Sequence, residues 1–296
     1  SGSDYTVFLE HLGIPSIDLG FGGGKDDPVY HYHSNYDSYY WMSNLADPGF
    51  VFHNVAAKFL GLAVLELNEH ELIDFKLKDY AKDVLVYFNE TIDLVPKEWR
   101  YREPSQEAWD SFMELEPEQK SYIKDVTQGY YRSFGTFIHP EYLELVKCKH
   151  HRSMEMLDSK SLRKNTKLKD LVDGVYEDIN NFLAVSGLFD ENTNLLQIEW
   201  DEKDNLHWWQ RIRLNFKIHF HNKVTQYFER NFLYHHGLHE RGWFKHILFA
   251  SGRYTGYAGQ TLPGLKEAIE DEDFDRFVKW LGILSLTLRR VSAHLN

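Results

Sequence analysis

The sequence predicts a mainly α fold, with an α/β piece over residues 1–75 followed by a helical bundle over residues 76–296. Three observations predict it. Beyond about residue 76, apolar residues recur at steps of three and four almost throughout, the period of a helix with a buried face. Before that point, a short glycine-bounded run interrupts the helical patterns. Hydrophobic residues make up 43% and aromatic residues 16% of the 296 positions, so a sizeable core can form.

The elements follow in order. Tyr5 to Leu12 reads as a short helix with Asp4 as its N-cap. Gly13 to Phe21 reads as a short strand or an extended loop. Pro48, directly after Asp47, suits the first turn of a helix. That helix carries Phe52, Val55, Ala56, Phe59, Leu60, Ala63 and Leu67 at helical spacing, widened by Leu62, Val64 and Leu65, and is expected to be well buried. Tyr80 to Val95 gives a further helix, ending before Pro96. Residues 101–160 are polar, broken by Pro104, Pro117 and Pro140, and read as short helices and loops. Leu168 to Ser186 is helical with Gly187 as its stop. From Leu206 to Phe232 the apolar residues stand four apart, from Trp208 through Ile212, Phe216 and Phe220 to Phe232. Such a row drifts slowly round a helix, so this one is expected to be buried on several sides. Phe274 to Leu295 is the last helix, with acids from Glu270 to Asp273 before it and Arg289 and Arg290 near its end, as the helix dipole favours. Long helices of this kind suggest an antiparallel bundle.

The formal charge of −12 argues against a nucleic-acid backbone as partner, and the basic residues of 147–152 and 163–169 sit among acids. Cys148 is the single cysteine, so an internal disulfide is excluded. Asn89-Glu90-Thr91 is a glycosylation sequon. Apolar runs fall short of the roughly 20 residues of a membrane span. The opening Ser1-Gly2-Ser3-Asp4 reads as an internal cut, so a fragment or a processed chain is expected.

Two stretches carry candidate chemistry. Val29 to Tyr40 sets His31 and His33 two residues apart among tyrosines, followed by Asp37 and small hydroxyls, after the acidic, glycine-rich loop Gly22 to Pro28. A polar, aromatic-rich knot of this kind suits a site that holds a metal and a polar substrate. If the segment is extended, His31 and His33 share a face. Asp37 could bond His33 or orient it. The second stretch, Phe244 to Gly264, joins a strand-like run to a loop rich in Gly, Tyr and Ser/Thr. His235 and His239 stand four apart near an expected helix end, without the intervening pattern of a zinc-binding helix. His219 and His221 point to different helix faces, as surface or packing residues, and His150 and His151 read as a solvated loop.

Three sets of residues together resemble the glutamate carboxypeptidase II and transferrin receptor family. They are Ser1 to Phe8 with Leu12-Gly13-Ile14; Tyr32 to Tyr39 followed by Asp47-Pro48; and Tyr257 to Gly264, preceded by Glu229 to Phe232 and Gly237-Leu238. The resemblance implies that residues 1–75 are the C-terminal piece of an α/β zinc-peptidase domain. Residues 76–296 would be a transferrin-receptor-like helical dimerisation domain that pairs two subunits. It implies a binuclear zinc exopeptidase, a carboxypeptidase or aminopeptidase acting on peptides. His33 would be a zinc ligand, and Tyr32, Tyr257, Ser1 and Gly2 would lie along the substrate. The other ligands and the general base would precede Ser1, leaving this chain inactive alone. The lysine that binds glutamate carboxylates in glutamate carboxypeptidase II is replaced by Gly256, its arginine patch falls near Asp18 and Gly20, and Ser3 replaces an Asn. The resemblance also implies a glycoprotein on the lumenal or extracellular side of a membrane, with its anchor before Ser1. The alternative is a non-catalytic dimerisation or receptor module, against which His33 counts, because transferrin receptors lack that histidine.

Overall fold

In a computed structural model of the chain, residues 2–27, 29–108 and 166–295 are described. They fall into two compact units, one of Ser1–Pro15 with Asp74–Asn296 and the other of Ser16–Ile73.

The smaller unit is an extended loop, a helical stretch and one long helix. Residues 13–21 take the loop alternative and form no strand. Tyr39–Trp41 is a helical turn that continues as a π-helical stretch, Met42–Ala46, and Ser38 Oγ caps it by accepting from Trp41 N–H (3.2 Å). Helix α1 spans Val51–Glu69. Its start is set by Asp47, whose carboxylate accepts N–H bonds from Phe52 (3.2 Å) and His53 (3.1 Å) and meets His53 Nδ1 at 2.6 Å. Burial pushes the Asp47 carboxyl up, but the hydrogen bonds from His53 and Phe52 outweigh it and hold it below the ordinary value. Pro48 therefore lies in the turn before the helix, not in its first turn.

The expected burial of α1 is not found. None of its residues is buried, and Phe52, Phe59 and Leu62 are 53%, 56% and 66% exposed. Periodicity correctly gave the helix. Burial depends on what packs against a face, and within Ser16–Ile73 little does: Phe21 lies against Phe52, with ring centroids 5.2 Å apart.

The larger unit begins with a single π-helical turn, Val7–His11, where a capped helix was expected; no side chain caps it. Helix α2, Leu77–Asp93, buries Leu77, Ala81, Val84, Phe88 and Thr91 at alternating steps of four and three, one stripe of a helix. Its N-terminus is capped from a distance, because Asp190 accepts the N–H groups of Leu77 and Lys78, each at 3.0 Å. Helix α3 runs from Leu168 to Asp201 and packs against α2. It passes straight through Gly187, the expected stop, because the Lys78 side chain lies over that position and packing on both flanks outweighs glycine's propensity cost of about 1 kcal/mol.

Helix α4 is Trp208–Gln226, followed by a 3₁₀ turn, Glu229–Phe232. Strands β1 (Phe249–Ser251) and β2 (Gly259–Thr261) form a two-stranded antiparallel hairpin. Helix α5 (Pro263–Glu270) starts on Pro263, and Gly264 lies so close to the Trp280 ring that a Cβ there would overlap it. Helix α6, Phe274–Leu295, is buried over most of its surface and packs on α3 and α5. Asp178 of α3 fastens α6, accepting from Ser285 Oγ (2.6 Å) and Arg289 Nε (2.7 Å). Phe88, Phe182, Phe232 and Phe277 are fully enclosed at the centre of the core. Most of the expected short helices and loops of 101–160, with Cys148, His150 and His151, lie outside the described residues.

Candidate active site

Within Ser16–Ile73, the candidate metal segment folds as turns and not as an extended strand. His31 C=O accepts from Ser34 N–H (3.2 Å) and Ser34 Oγ (2.8 Å), and Ser34 C=O accepts from Asp37 N–H (3.2 Å). The shared face expected of His31 and His33 is therefore lost. His31 lies against Tyr36 and Trp41, with ring centroids 5.8 and 5.7 Å away. His33 takes a left-handed backbone, φ +57°, and its ring stacks on Tyr32 at 3.8 Å. A left-handed non-glycine residue carries a backbone cost, and such residues concentrate at functional sites. Asp37 bonds elsewhere than the sequence suggested, accepting from Tyr30 Oη at 2.8 Å. That hydrogen bond is the main reason the Tyr30 phenol is raised above its ordinary value.

Within the larger unit, Gly2 and Tyr257 meet although 255 positions separate them in the sequence. Gly2 has φ +85°, and a Cβ there would fall 2.5 Å from Tyr257 Cδ1. Three features bring them together. The buried Glu10 accepts N–H bonds from Lys245 (2.9 Å) and His246 (3.0 Å) on its backbone carbonyl. Its carboxylate takes Ser251 N–H and Oγ, both at 3.0 Å. His11 Nδ1 meets the Trp243 carbonyl at 2.6 Å and stacks on the Trp243 ring. The chain's front is thus sewn along the strand that leads to Tyr257. Ser1 lies outside the described residues.

The loop of 252–258 that carries Tyr257 closes at its base, where Gly252 N–H donates to Ala258 C=O (2.7 Å). Arg253 then grips Asp271 with two 2.7 Å contacts. The Arg253 bond is the largest influence holding the Asp271 carboxyl below its ordinary value. Arg241 donates to Ser251 C=O (2.8 Å) and pairs closely with Glu267. Beneath lies a buried polar triad. Leu248 N–H donates to His246 Nδ1 (3.1 Å), so the ring's proton sits on Nε2 and is donated to Glu229 (2.9 Å). Tyr80 Oη donates to the same carboxylate oxygen (2.7 Å), and burial, then the Glu229 charge, pushes the Tyr80 phenol well up.

Sequence reasoning missed Glu10, Glu229, Arg241 and Arg253 as supports of this loop. The one available signal was a charge inside an otherwise apolar pattern, as at Glu10. His235 and His239 lie in turns and not on a helix, so their four-residue spacing carries no helical meaning. His221 is buried and His219 exposed, as packing and surface residues. Among the described residues, no group of three or more His, Cys, Asp or Glu could hold a metal. Catalytic zinc takes about three protein ligands, and the described residues do not bring such a set together around His33.

Within the larger unit, residues 171–296, which hold most of α3 and all of α4 to α6 with the hairpin between α4 and α5, match the model of a known family. The family is the transferrin receptor-like dimerisation domain. Relatives extend the likeness to nearly the whole chain. A probable glutamate carboxypeptidase of Arthroderma benhamiae is 28% identical over 283 residues, 95% of this chain and 28% of its own length. Vacuolar protein sorting-associated protein 70 of Saccharomyces cerevisiae is 24% identical over 283 residues, 95% of this chain and 27% of its own. Aminopeptidase NAALADL1 of Mus musculus is 30% identical over 86 residues, 28% of this chain and 12% of its own. The chain thus spans just over a quarter of the length of the curated relatives that match it over most of its residues. These findings uphold the resemblance to glutamate carboxypeptidase-like peptidases, over their C-terminal part, and the dimerisation domain is helical as expected.

Proposed function

We propose that this chain is the C-terminal part of a binuclear zinc exopeptidase. His33 supplies one zinc ligand, Tyr32, Tyr257, Gly2 and Ser1 lie along a peptide substrate, and the dimerisation domain pairs two subunits. The observation that carries the reading is the likeness to a probable glutamate carboxypeptidase over 283 residues, 95% of the chain, a span long enough to take in Tyr32, His33 and Tyr257. His33, exposed and held at a left-handed backbone, supports it from the chain's own structure.

Two zinc ions, when bound, would activate a water and polarise the scissile carbonyl. The chain's own residues do the rest. The stack on Tyr32 fixes the His33 ring plane, so the imidazole presents one direction to a ligand. The Tyr32 phenol, more than half exposed, can donate its O–H to charge that develops on the carbonyl oxygen. Tyr257, on a loop anchored by Arg253 and Arg241, can donate to the substrate's terminal carboxylate. Gly256 brings no charge beside it, and Arg253 is committed to Asp271. A neutral terminal side chain, or an aminopeptidase reaction, suits this loop better than a glutamate. The remaining ligands and the general base lie in the rest of the peptidase domain, so the chain is inactive alone. A lumenal or extracellular setting on a membrane-anchored glycoprotein completes the reading. Asn89 of the sequon lies exposed on α2, where its carbonyl accepts from Tyr176 Oη (2.8 Å).

The test uses the full-length protein. His33→Ala should lower bound zinc below the wild-type stoichiometry and abolish exopeptidase activity while leaving the fold intact. Unchanged zinc content would remove the ligand assignment and favour the non-catalytic module.

A further inference from the structure

We infer that Glu10 is a positioning residue for the proposed peptidase reaction: its buried carboxylate sets where Tyr257 stands relative to Gly2, and so how the Tyr257 phenol meets the substrate. The inference rests on the reading of Tyr257 as a substrate contact and names the side chain through which the chain's front governs it.

Glu10 is 2% exposed and lies on the π-helical turn Val7–His11, eight positions after Gly2. Its Oε2 accepts from both donors of Ser251, the N–H and the Oγ–H, each at 3.0 Å. The carbonyl of Ser251 accepts from Arg241 Nη1 at 2.8 Å, and Arg241 is paired with Glu267 of α5. Every polar group of Ser251 is thus engaged, two by the chain's front and one by the bundle. Ser251 is the last residue of β1 and faces Gly259 of β2, so the loop of 252–258 springs from this pair. A circuit closes through it. Gly2 leads to Glu10 along the chain, Glu10 to Ser251 by hydrogen bonds, Ser251 to Tyr257 through the loop, and Tyr257 back to Gly2 by contact.

The other ties do different work. Arg253 and Asp271 steady the outer side of the loop, but they keep 22% and 30% of their side chains in water, where an ion pair is worth little. The N–H bonds of Lys245 and His246 to the Glu10 carbonyl dock the front before β1, six and five residues short of Ser251. Glu10 and Ser251 meet with both residues buried, 2% and 6% exposed, where a hydrogen bond is electrostatically stronger than in water. Removing the carboxylate therefore leaves the front docked through Lys245 and His246 and frees the base of the loop. Tyr257 then loses its fixed place against Gly2 while the bundle stays folded.

The experiment is a double-mutant cycle on the full-length protein, with unblocked dipeptides of neutral residues as substrates. Glu10→Ala should raise KM about tenfold or more and leave kcat within about twofold, the pattern of a lost binding contact. Tyr257→Phe should do the same. In the Tyr257→Phe background, Glu10→Ala should change KM no further, because two residues that act through one group are not additive. Glu10→Gln keeps an oxygen that can accept from Ser251 and should restore KM. Hydrogen exchange should quicken at the amides of 252–258 in Glu10→Ala and not at those of α6. A merely structural Glu10 would lower thermal stability without the split between KM and kcat and without the non-additivity. Ser251→Ala, which removes the hydroxyl's bond and keeps the N–H bond, should move KM in the same direction by less, and takes the place of Glu10→Ala in the cycle if that variant does not fold. If Tyr257→Phe raises KM while Glu10→Ala and Ser251→Ala leave it unchanged, or if their effects add in full, the inference is overturned and the substrate reading of Tyr257 stands. If Tyr257→Phe itself leaves KM unchanged, the reading and the inference fall together.

Discussion

Gly2 lies against the ring of Tyr257, with room for a hydrogen and none for a methyl. Two requirements meet at this glycine, a left-handed backbone and the absence of a side chain. Gly2→Ala should therefore displace the Tyr257 ring and add about 1 kcal/mol of backbone cost at the chain's front. In the full-length enzyme the expected result is a raised KM for peptide substrates with thermal stability nearly unchanged. Steady-state kinetics on Gly2→Ala and Tyr257→Phe checks it. If Gly2→Ala leaves KM where it was, Tyr257 is not a substrate contact.

The buried triad of Tyr80, Glu229 and His246 should be costly to break. Tyr80→Phe removes a hydrogen bond to a carboxylate and should lose about 1.5–3 kcal/mol. Glu229→Ala leaves the His246 N–H and the Tyr80 hydroxyl buried without an acceptor and should lose more. Chemical denaturation of both variants measures the two steps.

His221 makes stability depend on pH. Its Nε2–H donates to Thr193 Oγ1 at 2.7 Å, because that hydroxyl spends its own proton on Phe189 C=O. Burial against Phe189 lowers its pKa to about 4, so the folded state holds the ring neutral where the unfolded chain, at an ordinary 6.5, takes a proton. The unfolded state binds more protons between those values, and stability falls as pH drops from about 6.5 to 4, by on the order of 2 kcal/mol. Melting curves from pH 7 to 4.5 should show this slope, and His221→Phe should flatten it.

The core can be tested at Phe182. This side chain is fully buried and touches Phe228 and Phe232, with ring centroids 6.2 and 6.1 Å away. Phe182→Ala should cost about 3–5 kcal/mol. A much smaller loss, read from urea unfolding, would mean that α3 repacks over the gap.

Helices α2 and α6 were legible because each has one strong apolar stripe and clear end signals, Pro96 for one and the acids of 270–273 for the other. The continuation of α3 past Gly187 was not legible, because Lys78 and the flanking packing come from another part of the chain. The openness of α1, and of the row of α4 through Trp208, Ile212, Phe216 and Phe220, was not legible either. An apolar residue at helical spacing reads the same whether its partner lies in the same chain or elsewhere.

The candidate site divides in the same way. His33, Tyr32, Gly2 and Tyr257 were visible in the sequence as a resemblance. The stack of Tyr32 on His33, the commitment of Asp37 to Tyr30, and the contact of Gly2 with Tyr257 were not.

The sequence by itself determined the mainly α class, the positions of most helices and the family resemblance, since these follow from local periodicity and short motifs. The tertiary structure alone decided which apolar faces are covered, where α3 ends, and how Glu10, Arg241 and Arg253 hold the loop of Tyr257. Those outcomes depend on contacts between residues far apart in the chain. Hydrogen bonds and burial are settled by distance in space, which a pattern along the backbone does not encode.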